Sequence, residues 1–168
     1  MINFEQIEIK PKLVDILNPR IGVIALSTDF TIEQDYRSIC NKLPVDIFVN
    51  RIPFQNPCTQ ENYLKMFHHL PFVVDEILPN QKIDTIAYGC TSGTIAIGKD
   101  KIEFQIHKSK PDSYVTTPIT SVIKAFKKLN IKKIAVLAPY PKLVNKTVFN
   151  YLKNKHIEID TFTSFNLD

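Results

Sequence analysis

Short apolar runs alternate with amphipathic runs along most of the chain. The apolar runs are continuous and rich in β-branched residues, which is typical of strands buried on both faces of a parallel sheet. They predict six strands, at 20–27, 45–52, 83–89, 113–118, 132–139 and 157–165. The runs between them have a helical period and predict helices at 32–42, 60–78, 92–110, 118–130 and 141–156. This alternation predicts an α/β fold of three layers, with helices on both faces of a parallel sheet.

Local signals mark where several of these helices begin and break. Thr31 with Gln34 three residues later forms a capping-box pattern, and Thr117 precedes a proline that suits the first helical position. Pro71 lies inside the second helix and is expected to kink it or divide it near Leu70. Gly98 is expected to interrupt the third helix.

Composition and charge narrow the classes of protein. The chain has 168 residues, 44% of them apolar and 23% charged, which suits a single globular domain. The net charge is +4 and the lysines are dispersed, so a nucleic-acid partner is not predicted. No apolar run approaches the length of a bilayer span, and the first residues lack the pattern of a secretory signal, so no membrane association and a cytoplasmic location are expected.

Ligands of parallel α/β sheets bind beyond the carboxyl ends of the strands. The polar or reactive residues at those ends are Ser27, Thr28, Asp29, Arg51, Cys90, Thr91, Ser92, Thr116, Thr117 and Tyr140. The chain has only four glycines and contains neither GxGxxG nor a phosphate-binding P-loop. The common nucleotide-binding sites are therefore not predicted.

Cys90 is the residue at these ends with the most distinctive chemistry. It follows the strand at 83–89 and precedes a predicted helix, whose free N–H groups favour a thiolate and attract carboxylates. The alternative is a small buried cysteine that closes a core strand. Cys40 and Cys58 are interpreted as structural, and the long spacing of the three cysteines predicts neither a zinc site nor a disulfide framework.

Three other candidates have two interpretations each. Tyr140 precedes a proline, so its backbone is expected to be extended and its phenol to face the crevice, unless it is a partly buried aromatic. Asp29 and Thr117 either contact a ligand or cap the helices that follow them. No histidine is placed to serve as a base for Cys90, which argues against a cysteine hydrolase.

The segment YGCTSGT resembles the first catalytic-cysteine motif of the Asp/Glu racemase superfamily. The segments RIGVIALSTDFTIEQDYR and KKIAVLAPYPKLVNKTVFNYL resemble its maleate cis–trans isomerase and arylmalonate decarboxylase group. RIPFQNPCTQENYLKM and AYGCTSGTIAIG are most similar to the ectoine-utilisation branch of that group. The resemblance extends over residues 18–168.

The resemblance implies two similar α/β halves around a cleft, one catalytic cysteine from each half, and no cofactor. Cys90 corresponds to the first cysteine, Thr91 and Ser92 to carboxylate-binding residues, and Tyr140 to a tyrosine that holds an oxyanion. The implied activity is isomerisation or racemisation of a small carboxylate, maleate-like or amino-acid-like, by a thiolate. Decarboxylation by a related enzyme and non-catalytic carboxylate binding are the alternatives.

Two departures from the family pattern affect this interpretation. Asp29 stands where maleate isomerases have asparagine, so a diacid would be repelled unless the Asp29 carboxyl is protonated or paired; an amino or amide group on the substrate would suit it better. No cysteine follows Cys90, so the second catalytic cysteine is missing. We therefore expect a complete first half over 1–130 and an incomplete second half over 131–168. A C-terminally truncated chain of this kind is expected to form a homo-oligomer or to be completed by another chain.

Overall fold

The computed structural model describes residues 7–12 and 18–165, in which six strands alternate with six helices. The strands are β1 (Arg20–Leu26), β2 (Asp46–Ile52), β3 (Thr85–Tyr88), β4 (Tyr114–Thr116), β5 (Lys133–Ala138) and β6 (Glu158–Ser164). The helices are α1 (Ile32–Cys40), α2 (Gln60–Asp75), α3 (Thr91–Ile97), α4 (Lys99–His107), α5 (Pro118–Lys128) and α6 (Lys142–Asn154). The predicted α/β architecture is confirmed. Among the described residues, no helix is both long enough and apolar enough to cross a bilayer.

The strands form two parallel sheets. Four strands pair in the order β2-β1-β3-β4, and β5 pairs with β6. The register places Ile24 of β1 between Asn50 of β2 and Tyr88 of β3, so the carboxyl ends of these strands lie at one edge. Because the chain leaves β3 at this edge, Cys90 lies there as predicted.

Each sheet has its own group of buried side chains. The larger group packs β1 and β3 against α2 and α4, with Ile24, Ile86 and Tyr88 fully buried. The smaller group joins Ile119 and Ile123 of α5 to side chains of α6 and of the second sheet. Helix α5 therefore packs with the second sheet although it precedes residue 131, where the second half is predicted to begin.

Of the two outcomes predicted at Pro71, a kink or a division of the second helix, the division does not occur. The helix runs from Gln60 to Asp75 with Pro71 inside it. Proline removes one backbone hydrogen bond, but Leu70, Val73 and Val74 beside it are buried in the larger core, and this packing maintains the helix. The predicted interruption at Gly98 is confirmed: Gly98 separates α3 from α4 with a φ of 97°, which suits glycine.

The starts of α1 and α5 are fixed in different ways. Thr117 caps α5 in a capping box with Thr120, as the sequence indicates. The capping box predicted at Thr31 is wrong, because the Thr31 side chain makes no capping bond. Instead, Asp29 Oδ1 accepts hydrogen bonds from the amides of Thr31 and Ile32, both at 2.9 Å.

Candidate active site

Cys90 is fixed at the junction between β3 and α3. Its Sγ accepts a hydrogen bond from the Gly93 amide at 3.2 Å and lies 3.9 Å from Ser92 Oγ. The hydroxyl of Thr94 donates to the Cys90 carbonyl at 2.6 Å and holds the backbone. A Cβ on residue 93 would lie 2.8 Å from Cys90 Sγ, so glycine at this position is what leaves space for the thiol. The Cys90 sulfur is therefore held between the Gly93 amide and the Ser92 hydroxyl.

Burial changes the acidity of this thiol in a direction the sequence did not indicate. Cys90 is 3% exposed, and burial raises its pKa to about 11. The Gly93 amide and the Ser92 hydroxyl act in the opposite direction, as expected at a helix start, but their effect is smaller. The expected lowering of the pKa is thus outweighed, and Cys90 in the free protein is a neutral thiol near pH 7.

Two tyrosines adjoin Cys90 from different elements. Tyr140 follows β5, and burial raises its pKa above the usual value; the Cys90 thiol adds to this rise, while the Ser92 and Thr91 hydroxyls oppose it. Tyr63 of α2 is buried, and burial together with the nearby Cys58 thiol raises its pKa. The hydroxyl of Ser92 opposes the rise at Tyr63 as well. The Ser92 hydroxyl therefore lies near the Cys90 thiol and near the hydroxyls of Tyr63 and Tyr140.

A cavity of about 280 Å³ opens beside this group, between α2, α3 and α6. Its polar end includes Cys58, Tyr63 and Ser92, and its apolar side includes Ile95 and Val148. None of its lining side chains is charged. A small organic molecule fits this volume, with its polar group near Ser92.

The remaining predicted site residues lie farther from this cavity or are already engaged. Thr91 contributes to the environment of Tyr140, as described above. Asp29 influences the Cys90 thiol electrostatically, but its carboxylate holds the start of α1. Thr117 caps α5 and lines a different cavity of about 400 Å³, which includes Tyr36 and Cys40. The guanidinium of Arg51, at the end of β2, is paired with Glu33 at 2.6 Å.

The sequence does not indicate that Cys58 and Tyr63 line this cavity. Its patterns indicate a structural role for Cys58 and a helical position for Tyr63. The available signal was topological: the segment from 53 to 59 leaves β2 at the same sheet edge at which Cys90 leaves β3. The sequence does not show that residues 58–63, at the end of this segment and the start of α2, lie beside α3.

The chain is an α/β protein with a cysteine fixed at the carboxyl end of a parallel strand. Several known proteins are similar to it in sequence or in fold. No family model matches the sequence. A curated maleate isomerase from Pseudomonas putida is 23% identical over 97 residues, which cover 54% of this chain and 39% of that relative. The chain thus spans well under half the length of this relative.

Solved structures place the fold more narrowly. A maleate isomerase from Pseudomonas putida has a TM-score of 0.77 at 18% identity, covering 90% of this chain and 65% of its own. A Nocardia farcinica maleate cis-trans isomerase mutant with a covalently bound succinylcysteine intermediate has a TM-score of 0.78 at 17% identity, covering 89% and 64%. A mutant arylmalonate decarboxylase in its liganded form has a TM-score of 0.70 at 17% identity, covering 89% and 63%. The chain therefore has the fold shared by maleate isomerases and arylmalonate decarboxylase, as the resemblance predicted.

Proposed function

We propose that the chain contributes the catalytic cysteine of a cofactor-independent isomerase or racemase acting on a small carboxylate. The observation that carries this proposal is the fixed Cys90 thiol, grouped with hydroxyls beside a cavity of about 280 Å³. The similar structure with a succinylcysteine intermediate supports it, since a cysteine of that protein bonds to a small acid. Because the chain covers only about two thirds of these similar structures, the isomerase or racemase activity is proposed and not shown.

Each residue of the group has a proposed role. Cys90 acts as nucleophile or as acid and base, while Ser92, Thr91 and Tyr140 donate hydrogen bonds to the substrate carboxylate. Donors of this kind stabilise the negative charge that develops when the α-carbon is deprotonated or when sulfur adds to a double bond. Asp29, which influences the Cys90 thiol, is proposed as a further substrate contact. Thr117 caps α5 and would contact only a ligand that reaches the cavity of about 400 Å³.

The two chemistries differ in what Cys90 does. In racemisation a thiolate takes the α-proton, and a second group returns a proton to the opposite face. In cis–trans isomerisation the thiolate adds to one carbon of the double bond, the resulting single bond rotates, and the sulfur leaves again. Both need a Cys90 thiolate, so ionisation of the buried thiol is a required step that the Gly93 amide and Ser92 hydroxyl assist.

Asp29 bears on the choice of substrate. Its carboxylate is paired with two backbone amides, so it is fixed near the site and influences the Cys90 thiol. The two amides are neutral donors and leave the negative charge of Asp29 in place, so a substrate with an amino or amide group would complement this acid, whereas the second carboxylate of maleate would still be repelled. We therefore propose an amino-acid-like substrate, in line with the likeness to the ectoine-utilisation branch.

Non-catalytic binding of a small carboxylate is the second candidate function. It is favoured by one observation, the raised pKa of Cys90, because a neutral thiol is a weak nucleophile. In that case the hydroxyls near Ser92 would bind an acid that is not converted.

Isomer interconversion by purified protein tests these proposals. Single isomers of maleate, fumarate, 2-amino acids and arylmalonates are incubated with the wild type, Cys90→Ser and the matched control Cys40→Ser, whose cysteine lies at the end of α1. We expect the wild type and Cys40→Ser to convert an amino acid and Cys90→Ser to lose about 10²-fold or more in rate. Robust turnover of maleate would contradict the substrate proposal. Carbon dioxide release from an arylmalonate would indicate the decarboxylase alternative, and binding without conversion would indicate the second candidate.

A further inference from the structure

Helix α1 has an apolar face, yet it buries none of its side chains, unlike the other helices of the described residues. This face consists of Ile32, Tyr36, Ile39 and Leu43, which we call the α1 row. The Leu43 amide donates to the Cys40 carbonyl at 2.9 Å, so the helical turn continues to the last member of the row. Ile39 is 75% exposed and Leu43 is 55% exposed. An apolar row left open to solvent is typical of a surface that another protein covers.

The α1 row borders a groove on the first sheet. Ile32, Tyr36 and Ile39 line the cavity of about 400 Å³, which Pro118 and Ser121 of α5 also line. Helix α5 packs its own buried side chains against α6 and the second sheet. The first sheet is therefore open between α1 and α5, and three members of the α1 row line this opening.

The spacing of the α1 row is the same when it is read in either direction. Successive members are four, three and four residues apart, which is the spacing of a seam along which two helices pack. When two copies of such a helix pack antiparallel about a two-fold axis, Ile32 lies opposite Leu43, and Tyr36 lies opposite Ile39. Each apolar side chain thus has an apolar partner, so the row is complementary to a second copy of itself.

The charges beside the row have the same symmetry. Asp35 and Lys42 are seven residues apart, so they lie on one flank of the row, and both are exposed. Within the part of the chain that the structure describes, neither forms an ion pair, whereas Glu33 is paired with Arg51. In an antiparallel two-fold pair, equivalent flanks meet. Each Asp35 then lies beside Lys42 of the second copy, which gives two ion pairs.

We propose that the chain forms a two-fold symmetric dimer in which the α1 rows of two copies pack antiparallel, with two Asp35–Lys42 ion pairs along their flanks. The dimer removes Ile39 and Leu43 from water, and this burial supplies most of the association free energy. The exposed ion pairs add little affinity and select the antiparallel orientation. The second copy also covers the groove between α1 and α5. The proposal is independent of the proposed function.

Sedimentation velocity over a range of protein concentrations measures the dimer and its dissociation constant. Ile39→Glu places a charge inside the row and should raise the dissociation constant by about 10²-fold or more. Because Ile39 is exposed in the single chain, the unfolding curve should stay close to that of the wild type. Phe72→Glu, on α2 and 70% exposed, is the matched control and should leave the dissociation constant unchanged. A wild type that stays a single chain at all concentrations, or an Ile39→Glu variant that associates as tightly, would overturn the proposal.

Charge reversal tests the antiparallel arrangement and the identity of the partner. Asp35→Lys and Lys42→Asp each place like charges together across the two-fold axis, so each should raise the dissociation constant about 10-fold at low salt. The double variant restores opposite charges and should return the constant close to the wild-type value. A mixture of the two single variants should form the mixed dimer in preference to either homodimer, because both pairs then attract. If neither the double variant nor the mixture restores association, the proposal is overturned.

Discussion

Cys90 is subject to two opposing influences, and their balance sets its chemistry. The Gly93 amide at 3.2 Å stabilises a thiolate, whereas near-complete burial removes the water that would solvate it. Burial has the larger effect, so the thiol is neutral in the free protein. A bound substrate that displaces water and orders the Ser92 and Tyr140 hydroxyls would change this balance.

The raised pKa of Cys90 makes the stability of the folded protein depend on pH. The pKa of about 11 in the folded protein exceeds the value of about 8.5 for a free thiol, so folding favours the protonated form. This contribution to the free energy of unfolding is fully present below about pH 8.5 and is lost as pH rises through 11, a change of about 3 kcal/mol. Urea denaturation from pH 7 to 10.5 should show a steeper loss for the wild type than for Cys90→Ala.

The matched control for this pH series is Cys40→Ala, which removes a partly buried thiol from another cavity. It should follow the wild-type slope across the range. Parallel curves for the wild type and Cys90→Ala would contradict the raised pKa of Cys90.

The strand ends beside which Cys90, Ser92 and Tyr140 lie are visible in the sequence as the ends of apolar runs. The sequence could not rank the influences on the Cys90 thiol, since the degree of burial depends on how α2 and α3 pack. It also does not indicate that Cys58, in the loop after β2, and Tyr63 of α2 line the cavity beside Ser92. Asp29 shows the same limit: its role as the cap of α1 in place of Thr31 is a matter of loop geometry.

At the scale of elements, the hydrophobic pattern predicts which segments are strands and which are helices. The boundaries of most strands and helices agreed with hydrophobic periodicity, because parallel strands buried on both faces are continuous apolar runs. In α2 the packing of Leu70, Val73 and Val74 keeps the helix undivided at Pro71. Local signals are thus reliable for the existence of elements and weaker where the core compensates for a poor residue.

The different caps of α5 and α1 give a matched pair of variants. Thr117→Ala removes the side chain that accepts from the Thr120 amide at 3.3 Å, so it should lower the free energy of unfolding by about 1 kcal/mol. Thr31→Ala, at the equivalent position of α1, should change it by under about 0.5 kcal/mol, because Thr31 makes no capping bond. Urea denaturation of both variants measures the difference, and equal losses would contradict this assignment of the caps.

At the scale of the whole molecule, the two sheets are covered unequally. In β5 the side chains alternate, with Ile134 and Val136 facing the α5–α6 group and Leu137 64% exposed. Within the described residues, the second sheet has two strands and packs these helices on one face. We therefore propose that the exposed face of β5 associates with a second copy of this chain or with another chain.

Self-association through the second sheet can be measured directly. Light scattering coupled to size exclusion should give a mass above the 19.3 kDa of one chain. Leu137→Glu places a charge on the exposed face of β5 and should shift the distribution towards one chain. Phe104→Glu, on α4 at the first sheet and 66% exposed, is the control and should leave the mass unchanged. A mass of one chain at all protein concentrations would contradict this proposal.

The most direct test of the central claim is the rate at which one pure enantiomer of a 2-amino acid is converted to the other by the wild type and by Cys90→Ser. The account predicts measurable conversion by the wild type and a loss of about 10²-fold or more in Cys90→Ser, with an unfolding curve that shows the variant to be folded. Equal rates for the two proteins would contradict the assignment of Cys90 as the catalytic group.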